Sequence, residues 1–413
     1  MTLREVWYSV WLQRTRVGTL YQRGDYTRFV FTEDYLRDPY RLVLGLIFEQ
    51  NLTARHAAAL RLPCWFSNLL PEGRLREWIA ADRNVSPQRE MELLAQVGHD
   101  LPGAVRILPA EENGTEFEWS PEPPPARVLE APEDAVGWRF SLAGVALKFS
   151  MLAKGDRLTL PAHGVGGDWI VKLPDQTYPD VPRNEFTMMS LAASAGITVP
   201  PVRLVHRDEL DGLPPNVWPG REEWAYAVRR FDRTDDREPV HIEDLAQVRN
   251  VYPDNKYRGN YETVAALVYR GHDITALREF ARRLAFTVLI SNGDAHLKNW
   301  SLIYPDGRIP QLAPAYDLVS TAFYLGAGEQ LGLKFGGTRR LDRISASTFE
   351  RLERRLGAPT AELAGCVAEL IEQTTKHWPE HREKLVANPA LTASVEASIV
   401  AHSRSMLGPA GEP

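Results

Sequence analysis

Cysteine is nearly absent from this 413-residue chain, and the two that occur, Cys64 and Cys366, are too few and too isolated to make a disulfide framework or a zinc site. Long apolar runs are missing as well: no stretch approaches the ~18 consecutive apolar residues of a membrane helix. The N-terminus, Met1-Thr-Leu-Arg-Glu-Val-Trp7, lacks the apolar core of a signal peptide. The expected location is therefore the cytoplasm, with no membrane partner. Positive charge is not in excess either, because 48 Lys and Arg face 54 Asp and Glu for a formal net charge of −6. That balance argues against a general nucleic-acid binder, and any DNA contact is expected to come through a partner. What is present is the composition of a soluble globular protein, 44% hydrophobic and 25% charged, with enough length for two or three domains.

The chain opens with alternation. Val6, Tyr8, Val10 and Leu12 share one face of a strand, residues 14–18 make a turn, and residues 19–21 and 29–31 read as further strands of a small antiparallel sheet. Pro71 suits the first turn of a helix running through Leu75 and Trp78 to Ile79, and Met91 to Val97 reads as another. Residues 98–107 turn into one more strand. From Glu111 the composition shifts to Glu, Pro and Ser around Pro123-Pro-Pro125, which favours extended polyproline II and places a linker over 111–135.

The rest of the chain is organised around Val288-Leu-Ile-Ser-Asn-Gly-Asp-Ala-His-Leu-Lys-Asn-Trp-Ser-Leu-Ile303. A helical pattern from Thr275, with Leu277, Phe280, Ala281, Leu284, Ala285 and Val288 on one face, delivers this stretch. It breaks at Ser291-Asn-Gly293 and then presents Asp294, His296, Lys298 and Asn299 before a short apolar strand. Phosphoryl transfer needs a carboxylate to orient or deprotonate the attacking hydroxyl and a neutral oxygen ligand for Mg²⁺. Asp294 and Asn299 have the separation of those two residues in the catalytic loop of protein kinases. Asp317, closing Pro310-Gln-Leu-Ala-Pro-Ala-Tyr-Asp317, supplies the second metal-binding acid. Asp and Asn are also ordinary turn residues, so the pair gains its weight from Lys298 between them, the helix before them and the acid after them.

Upstream, Trp169-Ile-Val-Lys-Leu173 is an apolar strand interrupted by Lys172, a cost that is relieved if an anion meets the ammonium. Glu185, in the first turn of a helix spanning 184–196, is the expected partner, although a carboxylate there also suits the helix dipole. Residues 138–149 carry one glycine, Gly144, in a strand-like pattern that reads either as a nucleotide-covering loop or as a plain hairpin. Trp224 to Arg233 reads as a strand ending where a two-lobed kinase crosses between lobes and meets adenine, with Phe231 at that crossing. Residues 241–260 look helical and then loop-like, and several helices follow from Ala346 to about Met406.

Taken together, Ser141-Leu-Ala-Gly144, Trp169-Ile-Val-Lys-Leu-Pro174, Arg229-Arg-Phe-Asp-Arg233, Glu243-Asp244, Asn292-Gly-Asp-Ala-His-Leu-Lys-Asn299 and Pro314-Ala-Tyr-Asp317 resemble the HipA family of serine/threonine kinases. Asn68-Leu-Leu-Pro-Glu-Gly73 and Gly98-His-Asp-Leu-Pro-Gly-Ala104 extend the resemblance to the front of the chain. It implies an α+β, two-lobed protein-kinase-like fold: a β-rich N-terminal subdomain over 1–110, the linker, a kinase N-lobe-like part over 136–233 and a helical C-lobe over 234–413. It also implies a toxin of a type II toxin–antitoxin pair that uses ATP and Mg²⁺ to phosphorylate a protein serine, with an aminoacyl-tRNA synthetase among the family's targets. The implied partner is a HipB-like helix-turn-helix antitoxin that carries the kinase to operator DNA. By this resemblance Asp294 is catalytic, Asn299 and Asp317 hold the metal, and Lys172 is the nucleotide lysine; Lys298 is expected to be a second catalytic group, and Glu185, Ser141, Gly144, Phe231 and His296 to bind the nucleotide. Ser141 matches a loop serine that is autophosphorylated, with Ser150 a neighbouring decoy.

Two other readings compete. A small-molecule kinase of the aminoglycoside phosphotransferase type shares the Asp-to-Asn spacing but has no need of a front domain like residues 1–110. A catalytically dead module that only binds an antitoxin or DNA has no physical need for Asp294, Asn299, Asp317 and Lys172 together.

Overall fold

The computed structural model describes residues 5–110, 147–160, 166–214, 217–325 and 330–407. The linker at 111–135, Ser141 and Gly144 lie outside the described residues. Alternation along Glu5–Leu12 (β1) buries Val10 and Leu12, and a turn with Gln13 at φ +53° returns the chain along Thr15–Arg23 (β2). The strand therefore resumes at Thr15, inside the expected turn. Tyr26–Phe31 (β3), His56–Ala59 (β4) and Val105–Pro109 (β5) complete an antiparallel sheet in the order β4-β3-β2-β1-β5. Helices Gly73–Asp82 and Glu90–Val97 contribute Leu75, Ile79, Met91, Leu93, Leu94 and Val97 to its core. The first of them starts at Gly73, so Pro71 precedes the helix instead of opening it.

A second sheet is built from Lys148–Lys154 (β6), Arg157–Thr159 (β7), Trp169–Lys172 (β8), Val202–His206 (β9), Leu210–Asp211 (β10) and Trp224–Arg229 (β11), in the order β10-β7-β6-β8-β11-β9. Phe149, Met151, Val171, Val205, Ala225 and Ala227 of this sheet join the front-domain core, so the two parts bury their apolar surface together. Helix Val181–Ser194 turns Met188, Met189, Leu191 and Ala192 into the core of the C-terminal half. It begins earlier than the spacing suggested, which puts Glu185 in its second turn, beyond the strongest pull of the helix dipole.

In that half, Ile274–Leu289 is a helix whose buried side includes Leu277, Phe280, Leu284 and Val288, each fully buried large side chain stabilising the fold by about 1.5–3 kcal/mol. Helices Tyr261–Tyr269, Leu363–Arg382 and Pro389–Leu407 pack against it, and Ala346–Leu356 packs on Leu363–Arg382. His241–Asp244 (β12) is a strand, not the helix expected there, because it pairs antiparallel with Ser301–Tyr304 (β13), which in turn pairs with Gln311–Leu312 (β14). A hairpin, Gln330–Phe335 (β15) and Thr338–Arg340 (β16), follows. The fold is thus mixed, with strands concentrated in the N-terminal part and helices in the C-terminal part. No helix among the described residues is long and apolar enough to cross a membrane.

Candidate active site

The loop after Ile274–Leu289 is held from several sides. Ser291 takes a left-handed backbone, φ +50°, and its carbonyl accepts from the Thr321 N–H at 3.2 Å and the Thr321 hydroxyl at 3.0 Å. The Gly293 N–H donates to Thr321 Oγ1 at 2.8 Å, and the Asp294 N–H donates to Asn292 Oδ1 at 3.0 Å. Tyr261 donates its hydroxyl to the Ala295 carbonyl at 2.7 Å, and a Cβ at Gly332 would overlap that same carbonyl, so β15 lies flush against the loop. These bonds fix where Asp294 and Asn299 project.

Asn299 donates from Nδ2 to Asp317 Oδ2 at 2.6 Å, while its Oδ1 accepts from the His296 N–H at 3.0 Å. Asp317 itself stands at φ +62°, a conformation that costs most residues free energy and that Asp tolerates better than most. The Lys172 ammonium donates to Asp317 Oδ1 and to Glu185 Oε1, the latter at 2.6 Å. The structure thus brings together four residues the sequence separates by up to 145 positions, Lys172, Glu185, Asn299 and Asp317. Burial opposes charge on Lys172, but Asp317 and Glu185 outweigh it and raise its pKa. Burial likewise works against the Asp317 carboxylate, and Lys172 and Lys148 overcome it and lower its pKa. Glu185 is pushed up by its burial, which Lys172 offsets only in part. Asp294 is raised too, first by burial.

Lys148 is a site residue that sequence reasoning passed over. It lies directly across from Lys172 in the β6–β8 register, and burial followed by the Lys172 charge pulls its pKa down to about 8. The signal for it was faint: a single lysine at the start of a strand, made significant only by strand pairing. Tyr226 faces Lys172 from β11 on the other side, its ring 5.6 Å from the ammonium. Phe231 is half-buried against the Tyr316 ring, with centroids 5.5 Å apart, at the crossing between the lobes. His296 is buried beside Tyr257, and burial followed by Lys256 lowers its pKa to about 3, so the imidazole is neutral. Ser150 is fully buried, its Oγ accepting from the Gly167 N–H at 3.1 Å and from Arg230 at 3.2 Å.

Lys298 differs from the expectation of a catalytic group, because its buried ammonium is engaged elsewhere. It donates to the Asn68 carbonyl at 2.7 Å and pairs with Asp244 at 3.0 Å and with Glu72 at 3.4 Å. Glu72 also takes Lys256 at 2.7 Å. The front-domain segment Asn68 to Glu72 therefore supports the loop from behind, a role that the Asn-Leu-Leu-Pro-Glu motif does not reveal on its own. Tyr257 was also missed; its hydroxyl donates to Asp294 Oδ1.

Among the described residues no group of three or more His, Cys, Asp or Glu could hold a metal. Mg²⁺ commonly takes one or two carboxylates and completes its shell with water and substrate phosphates. One carboxylate and one amide in direct contact, Asp317 and Asn299, fit that kind of site and do not fit an all-protein cage.

Comparison with known proteins bears on the family of the chain. The model of the HipA N-terminal domain matches residues 8–108, and that of the HipA-like C-terminal domain matches residues 140–378. The chain is 41% identical over 385 residues to Y4dM of Sinorhizobium fredii, a protein named as a kinase, covering 91% of each. It is 27% identical over 378 residues to the serine/threonine-protein kinase toxin HipA of Shewanella oneidensis, covering 82% of this chain and 81% of that one. Its fold matches the Shewanella oneidensis complex of HipA, HipB and operator DNA with a TM-score of 0.74 at 20% identity, over 97% of both chains. With both family models matching in succession and a 41% identical relative along nine-tenths of its length, the chain belongs to the HipA family.

Proposed function

We propose that this protein is an ATP- and Mg²⁺-dependent serine/threonine protein kinase. The observation that carries the reading is the Lys172 ammonium shared between Glu185 and Asp317, with Asn299 on the other Asp317 oxygen and Asp294 on the same loop. A cation held between a helix carboxylate and a metal-binding carboxylate is the arrangement that positions a nucleotide's phosphates. Lys172 and Lys148 meet the phosphates, Phe231 and His296 line the nucleotide, and Glu185 keeps Lys172 in place. Asp317 and Asn299 would hold the Mg²⁺, whose charge, when bound, neutralises the phosphate oxygens. Asp294 orients the acceptor hydroxyl and takes its proton as the oxygen attacks the γ-phosphorus and ADP leaves. The acceptor is a protein serine or threonine.

The likeness to the HipA–HipB–operator complex supports a HipB-like antitoxin as partner, with DNA reached through it; the proposed location is the cytoplasm. Ser141, seven residues before Lys148 in the sequence, is the proposed autophosphorylation site, and Gly144 a proposed nucleotide contact; peptide mapping after incubation with Mg-ATP tests the first assignment. Phosphoproteomics of cells expressing the wild type or Asp294→Asn tests the activity. Serine or threonine sites that appear only with the wild type are expected, and identical phosphoproteomes would remove the assignment.

A further inference from the structure

The Asp294 carboxylate already has a hydroxyl on it. Tyr257 donates its phenol O–H to Asp294 Oδ1 from a segment with several anchors. Arg339 donates to the Tyr257 carbonyl at 2.8 Å, and the Tyr257 ring meets His296 edge-on with centroids 5.0 Å apart. The adjacent Lys256 is held by Glu72 at 2.7 Å, and its carbonyl accepts from the Leu297 N–H at 3.2 Å. Yet Tyr257 itself is 38% exposed, so its side chain is not locked in a core, and Gly259 at φ +141° lies two residues on.

In phosphoryl transfer the acceptor's hydroxyl must sit on this same carboxylate, within hydrogen-bond reach, before it can attack. A carboxylate has two oxygens, so the competition is for Oδ1, the one on which the Tyr257 phenol sits. Resting on the phosphoryl-transfer reading above, we propose that the Tyr257 hydroxyl holds the place of the acceptor hydroxyl at Asp294 Oδ1, so that a protein substrate engages that oxygen by displacing Tyr257. The phenol gives the carboxylate a donor while no acceptor is bound, and it keeps water off the base in the same way. Seryl oxygen exchanges one hydroxyl–carboxylate bond for another, so displacement is reversible and its cost appears as weaker apparent acceptor binding. A hydrogen bond to a charged group corresponds to about ten- to a hundred-fold in an equilibrium constant.

The test compares the purified full chain with Tyr257→Phe, which keeps the ring against His296 and removes only the hydroxyl. Dephosphorylated casein and water serve as acceptors, calorimetry reads Mg-ATP affinity, and hydrogen exchange reads residues 251–260. The expected result is a fall of about ten-fold or more in KM for casein, faster hydrolysis of ATP by water, and faster exchange in 251–260. An active enzyme whose KM, hydrolysis rate and exchange are the same in both proteins would overturn the proposal alone. Two proteins that neither bind Mg-ATP nor transfer phosphate would overturn the phosphoryl-transfer reading, and the proposal with it.

Discussion

Lys172 illustrates what a single residue discloses in sequence. A lysine inside an apolar strand demands an anionic partner, and the partner expected for it, Glu185, is found there together with Asp317. Lys298 carried the same kind of signal with a different outcome, because a buried ammonium looks alike in sequence whether a substrate or a neighbouring domain satisfies it. Replacing Lys298 with Met leaves Asp244 without its cation and Glu72 with Lys256 alone, and breaking a buried pair of this sort costs about 3–5 kcal/mol. Chemical denaturation of Lys298→Met should show that loss; an unchanged midpoint together with lost phosphate transfer would return Lys298 to the chemistry. Lys148 gives a sharper test of the phosphate site. Its pKa of about 8 in the nucleotide-free protein should rise when phosphates arrive, so Mg-ATP binding near pH 8 takes up at most about half a proton per site. At pH 6 the ammonium is already formed and the uptake should vanish. Calorimetry in buffers of different ionisation enthalpy measures this, and Lys148→Met should abolish the uptake at pH 8.

Among the elements, helix Ile274–Leu289 was legible because its apolar period is local and complete. His241–Asp244 was not, because its strand character comes from pairing with Ser301–Tyr304, some 60 residues away, and no pattern within four residues announces a distant partner. Its placement has a consequence for pH. Glu243 on this strand is fully buried and accepts from Tyr304, from the Leu46 N–H at 2.9 Å and from Trp65 at 3.2 Å, with no cation among those three donors. Burial pushes its pKa up to about 7. A carboxyl whose folded pKa is raised stabilises the fold fully below its unfolded value of about 4.3, and that stabilisation is lost as pH rises through the folded value. Between pH 5 and 7 the wild type should therefore lose up to about 1.4 kcal/mol per pH unit relative to Glu243→Gln, which cannot titrate. Parallel pH profiles of unfolding free energy for the two proteins would show that the carboxyl is not protonated in the folded state.

For the whole molecule, the parts read as separate along the chain share their interior. The front sheet and the second sheet bury one core, the Val181–Ser194 helix belongs to the other, and Asn68 and Glu72 reach the loop that carries Asp294 and Asn299. This arrangement explains why the motifs were readable while their mutual support was not: Asp294, Asn299, Asp317 and Lys172 sit in recognisable local patterns, whereas Lys148, Tyr257 and Glu72 acquire their roles only when strands, lobes and front domain meet. The central claim is that these groups form one phosphoryl-transfer site with Asp294 at the acceptor. It is tested most directly by following γ-phosphate transfer from Mg-ATP with purified wild type and Asp294→Asn while calorimetry measures nucleotide affinity. Mg-ATP affinity close to that of the wild type with transfer slowed by about 10²–10⁴-fold is the predicted result; transfer at the wild-type rate in Asp294→Asn would contradict it.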